Sequence, residues 1–305
     1  MPSISVIVPT LNRSDEIRDF VDTLKAQTHT PDELVVVDAG APSQLEEELR
    51  LQLQDSSIAL VYARSIAGTS LQRNVAISQA KGDIFFFFDD DILLEPDYIE
   101  KTLPCFDIAC SPPVGGVLGT FTSPYQNSWQ KNLFFRLFRI SYTTAGDHAK
   151  IMSSGAIRWL IKPSQPVQVP VCSGGRVAFR KECFMNELWD DFLPGYTMGE
   201  DVEISRRIGK KWSFIQTPDA LLFHEKSPNS RNARADRIAR RIFSHYYIVQ
   251  KNHPRTIRNM LGFAWWNIGI VFLYTSTGIK DDHEDIKGIK RGYSLCWKHL
   301  KKKLL

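Results

Sequence analysis

Residues Phe85 to Asp91 read FFFFDDD, four phenylalanines running without a break into three aspartates. Four consecutive aromatics show no polar alternation, so both faces of this segment require dry surroundings. That is the condition of a central strand in a parallel sheet covered by helices on each side. Three adjacent carboxylates do not belong in such a layer, because each unpartnered ion would lose roughly several kcal/mol of hydration. The triplet therefore marks the strand's exit. In open α/β sheets that carboxyl edge is where ligands bind, although from the triplet alone a solvated acidic turn reads the same.

The preceding sequence supplies the layers. SVIVPT (5–10) is a short β-branched run that stops at Pro9, where a ladder donor is lost. Ser14 is placed to cap a helix with Asp15 and Glu16 in its first turn and Ile17, Phe20, Val21 and Leu24 along one face. LVVVD (34–38) reads as a second strand, again closed by an acid, and helical segments at 43–54 and 70–80 flank an extended one at 58–63. Strands separated by helices of this length imply βαβ units and a largely parallel sheet. The strands ending at Pro9-Thr10, Asp38 and Asp91 then place their polar residues on the same edge, which describes a site.

A chain of 305 residues can form one large α/β domain with additions, or two domains. Its net charge of +4 conceals a division. Residues 1–119 hold 8 Lys and Arg against 19 Asp and Glu, a net of −11, whereas residues 120–305 hold 30 against 15, a net of +15. The acidic front suits a metal, and the basic rear suits an anionic partner such as phosphates, nucleic acid or a lipid surface. Five cysteines without zinc-type spacing are expected to be reduced thiols in a cytoplasmic setting. No signal peptide is expected, because strand-like sequence begins at Ser3.

After Gly119 the alternation fades. Residues 124–165 mix six Lys or Arg and one acid with Trp129, Phe134, Phe135, Phe138, Tyr142 and Trp159, and fit no regular pattern. CSGGRVAFR (172–180) resumes as a glycine turn and a strand. GEDVEISRRIGK (199–210) reads as a helix with Val202, Ile204 and Ile208 inward and Glu200, Asp201 and Glu203 in its first turn.

The order SVIVPTLNR, VVVDAG, RSIAGTSLQRNVAISQAKGDIFFFFDDD, SGGRVAFR, GEDVEISRR over residues 3–225 resembles the inverting nucleotide-sugar glycosyltransferases of family 2, with a GT-A fold. The resemblance implies a Rossmann-like, mostly parallel sheet with helices on both faces. Residues 1–119 would form the nucleotide-sugar part, 120–225 the acceptor part with an irregular basic insertion at 124–165, and 226–305 a basic, aromatic-rich helical region. Residue by residue, it implies donor binding by Pro9, Thr10, Arg13, Asp38, Gly68, Arg73, Asn74, Asp89 and Asp90. It places a divalent metal, Mn²⁺ or Mg²⁺, on Asp91 and Asp89, with His224 either a further ligand, as a late histidine is in some GT-A enzymes, or a surface histidine. The chemistry of those residue types agrees, since a departing diphosphate builds negative charge that a hard cation on carboxylate oxygen can neutralise.

For the acceptor, the resemblance implies that Asp201 is the base, that Glu200 holds it or binds the acceptor, and that Gly174 and Gly175 admit the acceptor sugar. Inversion needs such a base, because an acceptor hydroxyl must lose its proton as it attacks. Ala39 stands where many relatives carry a second acid, so UDP, dTDP and GDP donors remain open. Lys210-Lys211-Trp212 is not the Gln-x-x-Arg-Trp pattern of processive relatives, so one sugar per encounter is expected. The implied partners are a nucleoside diphosphate sugar, a glycan or lipid-linked acceptor and an anionic membrane surface, with no nucleic acid. A nucleotidyltransferase, or a membrane-docked binding subunit without turnover, are the competing readings.

Met260 to Thr277 is eighteen residues without a charge, the low end for a membrane span, with Lys and Arg on both sides. An interfacial or re-entrant segment on the cytoplasmic face is expected, with a buried helix as the alternative. The arginines at 231, 234, 237, 240 and 241 read as a diphosphate clamp, a lipid contact or a solvated helix face.

Overall fold

The structure is a computed structural model that describes residues 1–123, 127–192, 198–225, 233–275 and 282–304. Three βα units open the chain: β1 (Ile4–Thr10) and α1 (Ser14–Lys25), β2 (Glu33–Asp38) and α2 (Leu45–Leu53), β3 (Ala59–Arg64) and α3 (Thr69–Gln79). The phenylalanine run is β4 (Ile84–Phe88). β5 (Ile92–Leu94), α4 (Tyr98–Thr102), β6 (Val114–Phe121) and α5 (Trp129–Leu137) follow, then β7 (Tyr142–Thr144), β8 (Lys150–Ile151) and β9 (Ile157–Leu160). The chain continues through β10 (Val167–Val169), β11 (Arg176–Arg180), α6 (Glu200–Ile208) and β12 (Ser213–His224). It closes on α7 (Arg234–Asn252), α8 (Ile257–Thr275) and α9 (Asp282–Leu304).

The main sheet has the order β10-β12-β6-β11-β4-β1-β2-β3, with β5 paired to β12. β3, β2, β1 and β4 are mutually parallel, whereas β11 inserts antiparallel between β4 and β6. The four phenylalanines divide by the two-residue period of a strand. Phe86 and Phe88 enter the layer formed with Phe20 of α1 and Tyr98 of α4, while Phe85 and Phe87 enter the opposite layer with Phe179, Phe184 and Trp189. This is the central strand, dry on both faces, that the sequence implied.

Two local expectations change. β1 runs through Pro9 to Thr10, because its pairing with β4 ends at Ile7 and only the β2 side continues, with Pro9 opposite Val37. Helix α1 begins at Ser14 itself, with Arg13 in the cap position and no side-chain cap. The Arg13 side chain is drawn across to the acids after β4 instead.

Residues 124–165, which fitted no pattern, contain α5 and a small sheet of order β7-β9-β8. Their aromatic residues find partners far along the chain. Phe135, Ile140 and Met152 form one cluster with Ile238 and Ile242 of α7 and with Trp266 and Ile270 of α8. Helix α8 is therefore docked by one stripe, Trp266 at 3% and Ile270 at 0% exposure, flanked by the half-exposed Trp265 and Phe272 stacked on Phe138 and Phe134, while Met260, Leu261 and Ile268 stay outside. No helix among the described residues is long and apolar enough to cross a membrane. Helix α9 lies along α7, where Gly288 and Gly292 permit close approach: a Cβ on Gly288 would stand 2.8 Å from the Ala235 carbonyl oxygen.

Candidate active site

The carboxyl ends of β1, β2 and β4 and the start of α3 converge on one edge. Asp38, at the end of β2, is buried and accepts from the Tyr62 hydroxyl at 2.7 Å, from the Gly40 N–H at 2.6 Å and from Arg64. Burial first, then the bond to Asp38, pushes the Tyr62 hydroxyl up to about 12, so it stays a donor. Beside it Gln72, on α3, donates to the carbonyls of Thr10 and Val37 at 2.9 and 2.8 Å, tying the helix that follows Gly68 to the ends of β1 and β2. Pro9, Thr10, Asp38 and Gly68 are thus gathered along one rim.

The acidic triplet divides its work. Asp90 accepts from Thr10 Oγ1 and Arg13 Nη1, both at 2.8 Å, and burial still pushes it up to about 6 against those donors. Asp91 lies 3.0 Å from His224 Nε2 at the end of β12 and 3.3 Å from Arg13. Burial works to raise Asp91, but the bond to His224, its charge and that of Arg13 outweigh it and hold the carboxyl below its usual value. Asp89 turns the other way. It meets Arg73 Nη2 at 3.2 Å, and a Cβ on Gly175 would collide with its carboxylate.

Arg73 is the hinge of the arrangement. It is 1% exposed, lies 4.5 Å above the Trp189 ring, and through Nη1 reaches Glu200 Oε1 at 3.1 Å while Nη2 holds Asp89. One guanidinium therefore joins the acids after β4 to the acids that open α6. Gly174 is required for the same reason, since a Cβ there would stand 2.8 Å from Arg73 Nη1. The resemblance gave Gly174 and Gly175 to the acceptor sugar; in the fold they lie against the Arg73 guanidinium and the Asp89 carboxylate. Asn74 faces away from the rim. Both ends of its amide are bonded to the Trp189 backbone, at 2.8 and 2.9 Å, which fixes the ring beneath Arg73.

Helix α6 starts on Gly199, whose φ of +97° lies in the left-handed region that favours glycine. Glu200 and Asp201 follow at once in the first turn. Burial, reinforced by the charge on Asp201, pushes Glu200 up to about 7 despite Arg73. Burial also raises Asp201, against the N–H groups of Val202 and Gly174 that favour its charged form. A carboxylate raised toward neutrality is better poised to accept a proton than one at its ordinary value.

A family model described as Glycosyl transferase family 2 matches residues 5–185, more than half of the chain. The chain belongs to that family. The match covers the rim, the triplet and the glycine turn, and ends before Glu200, Asp201 and His224. Over 103 residues the chain is 32% identical to TuaG of Bacillus subtilis, which carries the name of a teichuronic acid biosynthesis glycosyltransferase; the match covers 33% of this chain and 41% of that protein. Two solved structures have the same fold. GalNAc-T7 with UDP, GalNAc and Mn²⁺ superposes with a TM-score of 0.61 at 14% identity, over 91% of this chain and 58% of that one. The mannosyltransferase PcManGT of Pyrobaculum calidifontis, with GDP-Man and Mn²⁺, gives 0.57 at 16% identity, over 97% and 88%. The fold is GT-A, as the resemblance implied.

Sequence reasoning missed Gln72, Trp189, Tyr62 and Arg64. Gln72 precedes the arginine that was singled out, so the motif contained it. Trp189 carries no local signal, because its role depends on Arg73 and Asn74 reaching it from α3. Of the rear arginines, Arg231 lies outside the described residues. Arg234 is bonded to Asp285 of α9 and Arg241 to the Tyr274 hydroxyl at 3.2 Å, so both are engaged within the helical region.

Proposed function

We propose that the chain is an inverting hexosyltransferase, moving a sugar from a nucleoside diphosphate donor to an acceptor hydroxyl with the help of Mn²⁺ or Mg²⁺. The observation that carries the reading is Arg73, which bonds Asp89 and Glu200 at once and so sets the two acidic motifs on either side of one point. A donor-side and an acceptor-side function fit those two positions.

Asp91 and His224 suit a divalent ion. They offer carboxylate oxygen and imidazole nitrogen 3.0 Å apart, and no cluster of three His, Cys, Asp or Glu with metal spacing occurs among the described residues. Two protein ligands, with phosphate oxygens and water completing the shell, is a usual arrangement for Mg²⁺ and suits Mn²⁺. When bound, the ion would offset the charge that develops on the leaving diphosphate. Arg13 adds a fixed positive charge beside the same acids, and Asp38 and Thr10 lie where the base and ribose would meet the rim. Asp201 takes the proton of the acceptor hydroxyl as it attacks, and Glu200, held by Arg73, keeps the first turn of α6 in place. Asp89 holds the other end of the Arg73 fork and so keeps Arg73 between the two acidic motifs.

The acceptor would be a glycan or a lipid-linked sugar at the inner face of a membrane. The apolar row outside α8 and the lysines of α9 support a peripheral contact with anionic lipid. The test is release of free nucleotide from UDP-, dTDP- and GDP-sugars, with and without Mn²⁺. Metal-dependent release that falls at least about a hundredfold in Asp201→Asn only when acceptor is present supports the reading. Binding without release at any acceptor would reduce the protein to a binding subunit.

A further inference from the structure

Arg206, in the last turn of α6, points away from the site just described. Its Nη2 donates to the Gly155 carbonyl at 3.1 Å and its Nη1 to His253 Nδ1 at 3.2 Å, while Nε has no partner. No Asp or Glu pairs with it among the described residues, and burial alone pulls it down to about 10. A half-buried cation without a counter-ion is costly to keep, and an ordinary surface arginine would not be held this way.

This guanidinium lines a cavity of about 490 Å³ between the small sheet, α6 and the joint of α7 and α8. Ser153, Asn252, His253, Arg258 and Asn259 line it too, and among the described residues no carboxylate does. Glu203, on the same helix, is taken by Arg207 at 2.7 Å and Lys251 at 2.8 Å. His253 donates through Nε2 to the Ser153 carbonyl at 3.0 Å, so its Nδ1 is free to orient Arg206. Arg258, exposed in the first turn of α8, forms no ion pair among the described residues.

We propose that this cavity is a binding site for a phosphate group. Arg206 keeps a second N–H on each of its Nη nitrogens, and with the exposed Arg258 it supplies two positive charges without a carboxylate, which matches a doubly charged oxyanion. The volume is that of a small-molecule pocket, larger than bare phosphate needs, so the phosphate carries an organic group. Arg258 and Asn259 directly precede Met260 and Leu261 of the exposed apolar row of α8, and a lipid headgroup is therefore one source of the phosphate; a soluble phosphate ester is the other. The site takes part in no step of the transfer reaction.

The test is thermal unfolding of the full chain in chloride and with added inorganic phosphate, together with sedimentation on phosphatidylcholine vesicles with and without phosphatidic acid. A rise in Tm on the order of 3 °C is expected at ten times the dissociation constant. Arg206→Met should abolish it without lowering the Tm in chloride, and Arg258→Gln should weaken it. Lys210→Gln, outside the cavity, should leave it intact. Vesicle binding that needs phosphatidic acid and Arg206 identifies a headgroup; a phosphate response alone identifies a soluble ester. A response that survives both arginine variants, or that Lys210→Gln removes equally, overturns the site. So does the absence of any response in both arms.

Discussion

Replacing Arg73 by methionine should produce a stability loss that depends on pH in a defined way. Glu200 has an unfolded value near 4.5 and a folded value of about 7. A raised carboxyl costs the fold nothing below the lower value, and the cost grows until pH passes the upper one. Without Arg73 the folded value rises further, so the added penalty accrues only above pH 7, at about 1.4 kcal/mol per unit. At pH 6, Glu200 is mostly protonated in both proteins, and Arg73→Met costs about 1 kcal/mol for a lost hydrogen bond. At pH 9 the loss should reach about 3–4 kcal/mol, the range for breaking a buried pair. The Asp89 side adds little, since that side chain is 43% exposed and its pairing is screened. Urea unfolding at the two pH values measures both terms, provided the slope m is unchanged. Arg73→Met/Glu200→Gln should recover most of the pH 9 loss. Equal penalties at pH 6 and pH 9, or no recovery in the double variant, would refute the claim that Arg73 holds two otherwise repelling acidic groups together.

Asp91→Ala should remove the Mn²⁺-dependent part of nucleoside diphosphate binding in calorimetry while the fold persists, because Asp91 lies beyond the phenylalanine layer. Asp201→Asn should leave donor affinity within about twofold, under about 0.5 kcal/mol, and reduce transfer by about a hundredfold or more; equal losses in both would make Asp201 a donor residue. Met260→Gln, Leu261→Gln and Ile268→Gln together should move the protein from membrane pellet to supernatant with its Tm unchanged, since all three are exposed, and unaltered partition would remove the membrane role of α8. His245 is half-buried, stacked 3.9 Å from Trp266, and bonded to the Ser154 carbonyl; the loss of hydration there lowers it from 6.5 to about 3. Its folded value is the lower one, so stability is full above pH 6.5 and falls as pH drops toward 3, by about 2 kcal/mol at pH 5. Hydrogen exchange in α7 and α8 should rise at pH 5 beyond the intrinsic change, and His245→Gln should remove that excess.

Much of the front half was legible because its signals are local. The phenylalanine run needs no partner to announce a strand dry on both faces, and the acids after it can only lie at an exit. Asp38, Thr10 and Asp91 reached one edge because parallel strands align their ends. Arg73 was singled out for the donor, but its bond to Glu200 spans 127 positions and no period encodes it. Asn74 shows the same limit, since its partner is a backbone elsewhere. The insertion failed for a related reason: the side of α5 that is covered is decided by α8, so its aromatics look unpatterned along the sequence. In α8 the docked stripe and the outer row are both apolar, and composition alone does not separate them.

The cluster that joins Phe135, Ile140 and Met152 to Trp266 and Ile270 also sets an order of events during synthesis. The βα units at the front have all their strands within the first ninety residues and can pair as they emerge. The insertion cannot close then. Its apolar side chains leave the ribosome well over a hundred residues before α8 does, an interval on the order of ten seconds at ordinary translation rates. When they emerge, Phe134, Phe135 and Phe138 stand uncovered beside a sheet of which only β1 to β4 can have paired. A transient cover for these rings, in the place that α8 later takes, would shorten their exposure.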